Sequence, residues 1–345
     1  MMLPIVADTS FNKLAMVDDY TSFIWTSRYY ETGDFELVVP VDQKHLSLMK
    51  KDYYILRDDD PDNAGIIEDV LIKRDENGTE QMVVSGRFLQ SILSRRIVAE
   101  QTNVDGTVAE CMNTLINENI MFPSDASRTI QGFDYQVITV SQTMKAQYTG
   151  NNIYDVVTDI CKTYGVGFKV VPYNNGFLFS VYEGTDRSYN QSVNPWIVFS
   201  DEYDNLLSSE YEECYKNAIT AVLVAGEGEG LNRKTAWATD ETTGLLRREA
   251  YKDARNLRSN DGSITPEEYT ELLEESGKES LTQITTAFTG TVYFDSVKFR
   301  EDVFLGDICT IENSRWSLSI NTRLVEVIES VSETGDYSIV PTFGI

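Results

Sequence analysis

The chain has one histidine, His45, in 345 residues. A metal site built on two histidines is therefore excluded, and any Ser-His-Asp or Cys-His centre would have to use this single residue. His45 stands beside Lys44 in "DQKHLSLMKK", on a face that reads as polar and solvated. Cysteine is also sparse. Cys111, Cys161, Cys214 and Cys309 lie far apart, without the paired spacing of a zinc ribbon or a C-x-x-C redox motif, so they read as four reduced, mostly buried thiols. Positive charge is short as well: 29 Lys and Arg stand against 55 Asp and Glu, a net charge of -26. This balance argues against DNA binding by phosphate neutralisation and against an anionic membrane surface. It suits solubility, or a wall that nucleic acid passes without sticking. No apolar run approaches the ~18 residues of a membrane span. The start "MMLPIVADTSFNK" has neither the basic residues nor the apolar core of a secretory signal. The expectation is cytoplasmic synthesis and no membrane insertion.

Apolar residues make up 41% of the chain, enough for a substantial core and for two or three domains. The first hundred residues read as β structure. "FIWTSRYYETGDFELVVPV" alternates on either side of a turn at 31–34, where Gly33 is expected to supply a positive φ. Further turns fall at 58–65 and 75–78, and short strands with polar turns suggest a small barrel or sandwich. The middle changes character. Val108, Met112, Leu115 and Ile116 have helical spacing behind Thr107 as N-cap. Ile153, Val156, Val157 and Ile160 repeat the pattern behind Asn151 or Asn152, with a stop at Gly165 and a hairpin turned at 174–176. Strands return after Ser200, interrupted by one helix with Thr265 as N-cap, Pro266 at N1 and Glu268 closing a capping box. Tyr269, Leu272 and Leu273 form its apolar stripe.

Candidate chemistry is thin. "VLVAGEGEGLNR" carries Gly226, Gly228 and Gly230, but a dinucleotide fingerprint needs G-x-G-x-x-G running into a helix. The third glycine comes one residue early, and Glu227 and Glu229 would repel a phosphate. A mobile strand-to-strand loop is expected. "DDDPDNAGIIED" alternates Asp58, Asp60 and Asp62 like a calcium loop, yet Asn63 stands where that loop needs glycine and Pro61 stiffens the fourth position. A solvated acidic turn fits better, with weak calcium binding at those three aspartates left open. The densest carboxylates, 201–205 ("DEYDN") and 210–214 ("EYEEC"), read as strand ends and a solvated face. The tyrosines of "RYYE", "DYY" and "EYEECY" suit half-buried strands, protein interfaces and sugar stacking alike. No catalytic, cofactor-binding or metal-ligating residue is assigned, and no cofactor is expected.

"FIWTSRYYETGDFELVVP" resembles the opening strands of siphovirus tail proteins, and "DVFLGDICTIEN", "NTRLVEVIES" and the closing "PTFG" resemble their last β module. With "VAGEGEG" and "GLLRRE" between them, the order of segments is similar to that of the baseplate hub or tail-tip hub of phage tails and phage-derived injection particles. The resemblance implies an α+β, β-dominated chain with two small β-barrel domains, an intervening helix-plus-hairpin segment and a helical insertion. The bounds are 1–104, 105–199 and 200–345, with the insertion at about 261–285. It implies a non-enzymatic homotrimer: a pseudo-sixfold ring joining the tail tube and distal tail proteins to baseplate or tip proteins. Phage DNA would pass through its lumen without specific binding, in a virion tail assembled in the host cytoplasm. Many relatives continue into an endopeptidase or receptor-binding region, and the ending "TFGI" leads to no such region being expected here. The glycine loop is expected to be an adaptable connector, so that truncating Gly226 to Gly230 weakens assembly and leaves the fold intact. Two other classes stay open: a tail-tip cell-wall hydrolase and a carbohydrate-binding module.

Overall fold

The structure is a computed structural model that describes every residue except 1, 139, 207, 283–284, 290–291, 293–296 and 345. The first region supplies β1 (Ile5–Ala7), β2 (Lys13–Met16), β3 (Ser22–Arg28), β4 (Asp34–Pro40), helix α1 (Gln43–Leu48), β5 (Tyr54–Leu56), β6 (Ala64–Ile66), β7 (Asp69–Arg74) and β8 (Glu80–Arg87). The middle supplies β9 (Thr102–Thr107), α2 (Val108–Ile116), β10 (Phe133–Tyr135), β11 (Thr143–Tyr148), α3 (Ile153–Tyr164), β12 (Gly167–Tyr173) and β13 (Gly176–Tyr182). The last region opens with β14 (Val198–Ser200), β15 (Glu210–Cys214), β16 (Ala221–Ala225), β17 (Thr235–Thr239), β18 (Glu249–Asp253) and α4 (Pro266–Lys278). It ends with β19 (Thr285–Thr289), β20 (Ile308–Asn313), β21 (Leu318–Val331) and β22 (Tyr337–Gly344).

One large sheet dominates. Its order is β15-β19-β22-β21-β3-β4-β8-β7, with β20 on β21 and β14 on β20. β21 is its spine: residues 318–323 pair with β20, residues 326–331 pair with β3, and β22 also pairs along the second half. The first and last β regions therefore share a single hydrogen-bonded sheet. This corrects the expectation of two small β-barrels, since among the described residues no sheet closes and the large one ends at β15 and β7. The physical reason is length. Fourteen residues of extended chain reach roughly 45 Å, enough for β21 to meet β20 and β3 end to end, and a register shift at Leu324/Glu326 re-aims the strand between the two.

The remaining α+β character stands, and local chemistry explains it. Thr107 accepts the Glu110 amide and Glu110 returns a bond to the Thr107 amide, a full capping box on α2. Asn152 caps α3, and Gly165 ends it at φ 68, a left-handed C-cap that glycine adopts without steric cost. β12 and β13 reverse through Asn174 and Asn175, both at positive φ, as a two-residue hairpin of right-handed twist requires. α2 and α3 cover this hairpin through Met112, Ile160, Phe168 and Phe179. α4 starts as expected, with Thr265 accepting the Glu268 amide and Pro266 at its first position. Gly33 differs from expectation. It is absent from the positive-φ residues, and a Cβ there would lie 2.2 Å from the Thr26 carbonyl oxygen and 2.4 Å from the Phe88 ring. Close backbone approach, not turn geometry, is what requires glycine.

Candidate functional site

The sequence candidates disperse in the fold. Asp58 pairs with Lys13 at 2.5 Å and Asp62 with Lys169 at 2.6 Å. Asp60 is buried, accepting from Trp25 Nε1 at 2.8 Å and Arg300 at 2.8 Å. The three aspartates thus face three different parts of the molecule and do not form the shared oxygen cage a calcium ion needs. In the 201–205 segment, Asp201 accepts from Ser314 and the Asn205 amide ties Ser200 to Val198. Residues 210–214 form β15. Cys111, Cys161 and Cys309 are buried and Cys214 half-buried, all four free, and burial pushes the Cys111 thiol up to about 12.

His45 is not the solvated residue expected. It is fully buried in α1, with Nε2 3.2 Å from Asp19 Oδ1 and Nδ1 3.1 Å from Asp42 Oδ2, while Asp42 also caps the helix. Lys44 reaches the same Asp19 oxygen at 3.3 Å, so a cation already serves this carboxylate pair. The missed signal is helical spacing: His45 and buried Met49 are four residues apart on one face.

The glycine loop joins β16 to β17, as a strand-to-strand connection. It is fixed at its start. The Gly226 amide donates to the Lys234 carbonyl, and the Glu227 amide donates to Tyr269 Oη at 2.8 Å. A Cβ on Gly226 would lie 2.3 Å from that hydroxyl. Gly226→Ala is therefore expected to destabilise the chain by about 1–3 kcal/mol, read as a lowered denaturation midpoint. An unchanged midpoint would restore the freely adaptable connector.

A cleft of about 1160 Å³ opens between α3, α4 and β21, lined among others by Asp159, Glu275 and Glu279. Burial, then the Glu279 charge, raises the Asp159 carboxyl. A raised carboxyl beside a second one is the pattern a hydrolase would need. Here the neighbours are occupied: Glu279 accepts from Tyr148 and Lys252, and Glu275 from Tyr164 and Lys278. Three of these four bonds tie α4 and its C-cap to β11, α3 and β18, and the fourth, from Lys278, stays within the helix.

A buried ion network lies deeper. Glu329 on β21 receives both Arg57 amino groups at 3.0 and 3.1 Å, Tyr337 Oη at 2.9 Å and a short bond from Arg300. Arg57 also holds Asp59, and Arg300 holds Asp60. Burial pushes the Glu329 carboxyl upward, but the hydrogen bonds and charges of Arg300 and Arg57 outweigh it and leave it at about 2. Three stretches distant in sequence are thereby locked onto one strand.

One surface available to partners is the rim of the large sheet. β7 carries Leu71 and Ile72, about half exposed, followed by Lys73 and Arg74. β15 at the opposite end presents exposed Glu210, Glu212 and Glu213. Neither strand has a second neighbour among the described residues, and an open strand edge is a template for pairing with another chain.

The fold recurs among solved tail proteins. The tail protein of Neisseria meningitidis MC58 superposes with a TM-score of 0.61 at 16% identity, over 100% of this chain and 96% of that one. The 43 kDa tail protein of prophage MuSo2 from Shewanella oneidensis gives 0.60 at 13%, over 99% and 98%. Prophage tail protein gp18 of Listeria monocytogenes EGD-e gives 0.54 at 15%, over 99% and 94%. At such identities the likeness shows a common fold, end to end. No curated protein matches by sequence. The family model of the siphovirus ReqiPepy6 Gp37-like proteins matches residues 4–345, nearly the whole chain, and this chain belongs to that phage family.

Proposed function

We propose that the chain is the structural hub of a phage tail, with three copies closing a ring that joins the tail tube to the baseplate or tip. The observation that carries this reading is the pair of open edges at the two ends of the main strand order, β7 with Lys73 and Arg74 at one end and β15 with Glu210, Glu212 and Glu213 at the other. Twofold pairing would set like charges against each other at either edge, whereas β7 of one copy suits β15 of the next, a heterologous contact that closes when the rotation closes. Segment 1–104 brings one edge and segment 200–345 the other, so each copy offers both sides of the contact. The net charge of -26 gives the lumen a surface that repels DNA phosphates, and phage DNA passes without binding. Full-length likeness to tail proteins supports the setting.

Light scattering of the native protein, alone and with its tube and tip proteins, tests the ring. The expected mass is about three times 39.1 kDa. A monomer under both conditions would overturn it. Electron microscopy of the ring tests the channel separately, since a neutral or basic lumen is incompatible with unhindered DNA passage.

A further inference from the structure

β16, β17 and β18 form a separate three-stranded sheet in the order β17-β16-β18, covered on one side by α4. Val222, Val224 and Ala236 pack under Tyr269 and Leu273, and Gly277 brings the helix so close that a Cβ would lie 2.5 Å from that of Ala238. The opposite side has no cover. Its centre is a cross-strand row of Trp237, Leu223 and Tyr251 in direct register, with Trp237 41% and Tyr251 59% exposed. Arg247 lies 4.8 Å from the Trp237 ring centre and Arg233 6.0 Å from that of Tyr251. Aromatic rings with stacked arginines are the composition of interface centres. Residues 230–255 hold six basic and four acidic side chains in a chain of net charge -26, although Arg247 and Arg233 are partly offset by Glu249 and Asp253. Lys252 turns to α4 and Arg255 shares Asp253, so the outer face is close to charge-balanced, in contrast with the acidic chain around it.

Its complement lies on the same module. Glu267, Glu271 and Glu274 are exposed along the outer side of α4, spaced so that they form one stripe. None of the three takes part in an ion pair among the described residues. The small sheet with its helix is therefore two-sided, aromatic rings with stacked guanidinium groups on one face and unpaired carboxylates on the other. We propose that the outer face of β16–β18 in one copy docks on the α4 glutamate stripe of the next copy around the ring. The contact is head-to-tail, as closed rings of identical chains require. Three strands of five residues cover only about 15 by 17 Å, well short of the roughly 800 Å² per partner of a self-sufficient interface. The contact thus rests on the ring reading and supplements its main interface, fixing the orientation of neighbours by charge.

The test uses the full chain in a Cys214→Ser background, which leaves only buried native thiols. Trp237→Cys and Glu271→Cys together are expected to give disulfide-linked dimers and trimers on mild oxidation of the assembled protein, and neither substitution alone should do so. Arg247→Glu should raise the concentration for half-assembly by about tenfold, and adding Glu271→Arg in the same chain should recover most of it. All three positions are exposed or half-exposed, so circular dichroism of the variants should match the parent. A trimer that forms without the paired cross-link overturns this inference and leaves the ring standing. A chain that stays monomeric with tube and tip proteins present overturns both. Quenching of Trp237 by a glycan panel, with no cross-link, would assign the face to sugar and also overturn it.

Discussion

Glu329→Gln is expected to lower the free energy of unfolding by about 3–5 kcal/mol, measured by urea denaturation at neutral pH. The substitution keeps size and removes charge, leaving Arg57 and Arg300 buried against β21 with Asp59 and Asp60 as their remaining counterions. Those aspartates cushion the loss, so the lower end of the range is expected; a change under 1 kcal/mol would show that they suffice alone. The same network gives an acid limit. The Glu329 carboxyl is held at about 2 against its ordinary 4.5, which corresponds to roughly 3 kcal/mol. Because the folded value is the depressed one, this stability is fully present above about pH 4.5 and is lost as pH falls from there toward 2. Acid unfolding of the parent should therefore steepen in that window, and Glu329→Gln should flatten it. Equal acid profiles for the two proteins would remove Glu329 from the explanation.

Helices were legible in the sequence because their signals are local. Thr107, Asn152 and Thr265 cap the three helices the spacing predicts, and the apolar stripes behind them are the buried faces. The sheet was not legible in the same way. β3 and β21 pair at about 300 residues' separation, and nothing within either strand names its partner, so two β regions that share one sheet read as two closed domains. Glu329 could have been found. In "LVEVIESV" it alternates with Val327 and Val331, both buried, and a carboxylate on the core face of a strand must meet a cation. Arg57, one step beyond the apolar "YIL" and buried with it, is that cation. Tyr29 is another case. It follows Phe23 and Trp25 at period two, so the alternation itself places it inside, although "RYYE" invites a surface role.

Tyr29→Ala is expected to cost about 3–5 kcal/mol and to break the cooperativity of unfolding. Tyr29 is fully buried where the three regions of the chain meet. Its ring is gripped by glycines from two other regions: a Cβ on Gly167 would lie 2.4 Å from it and one on Gly306 2.2 Å, the latter at φ +96. Arg323 of β21 stacks on it at 5.1 Å. The hydroxyl receives the Gly184 amide at 3.2 Å and reaches the carbonyls of Gly165 and Tyr182 at 3.3 Å. Burial raises this hydroxyl to about 12, so it stays a neutral donor at any physiological pH. These hydrogen bonds are long and neutral, and Tyr29→Phe, which removes the acceptor of the Gly184 amide, should cost about 1–2 kcal/mol, while Tyr29→Ala empties the joint. Two probes separate the effects: fluorescence of buried Trp25 reports the first region, and far-ultraviolet circular dichroism reports the whole. In the parent and in Tyr29→Phe the two transitions should coincide. In Tyr29→Ala they should part, because the last region has a core of its own around Phe343, whereas the core around Phe168 is shared with the first region through Leu89 and Ile92, and one of the ties of the last region to β3 is gone. Coincident transitions in Tyr29→Ala would place the coupling in β21 and its ion network instead. Either result bears on the proposed ring, in which a copy could transmit force between its neighbours only by moving as one body.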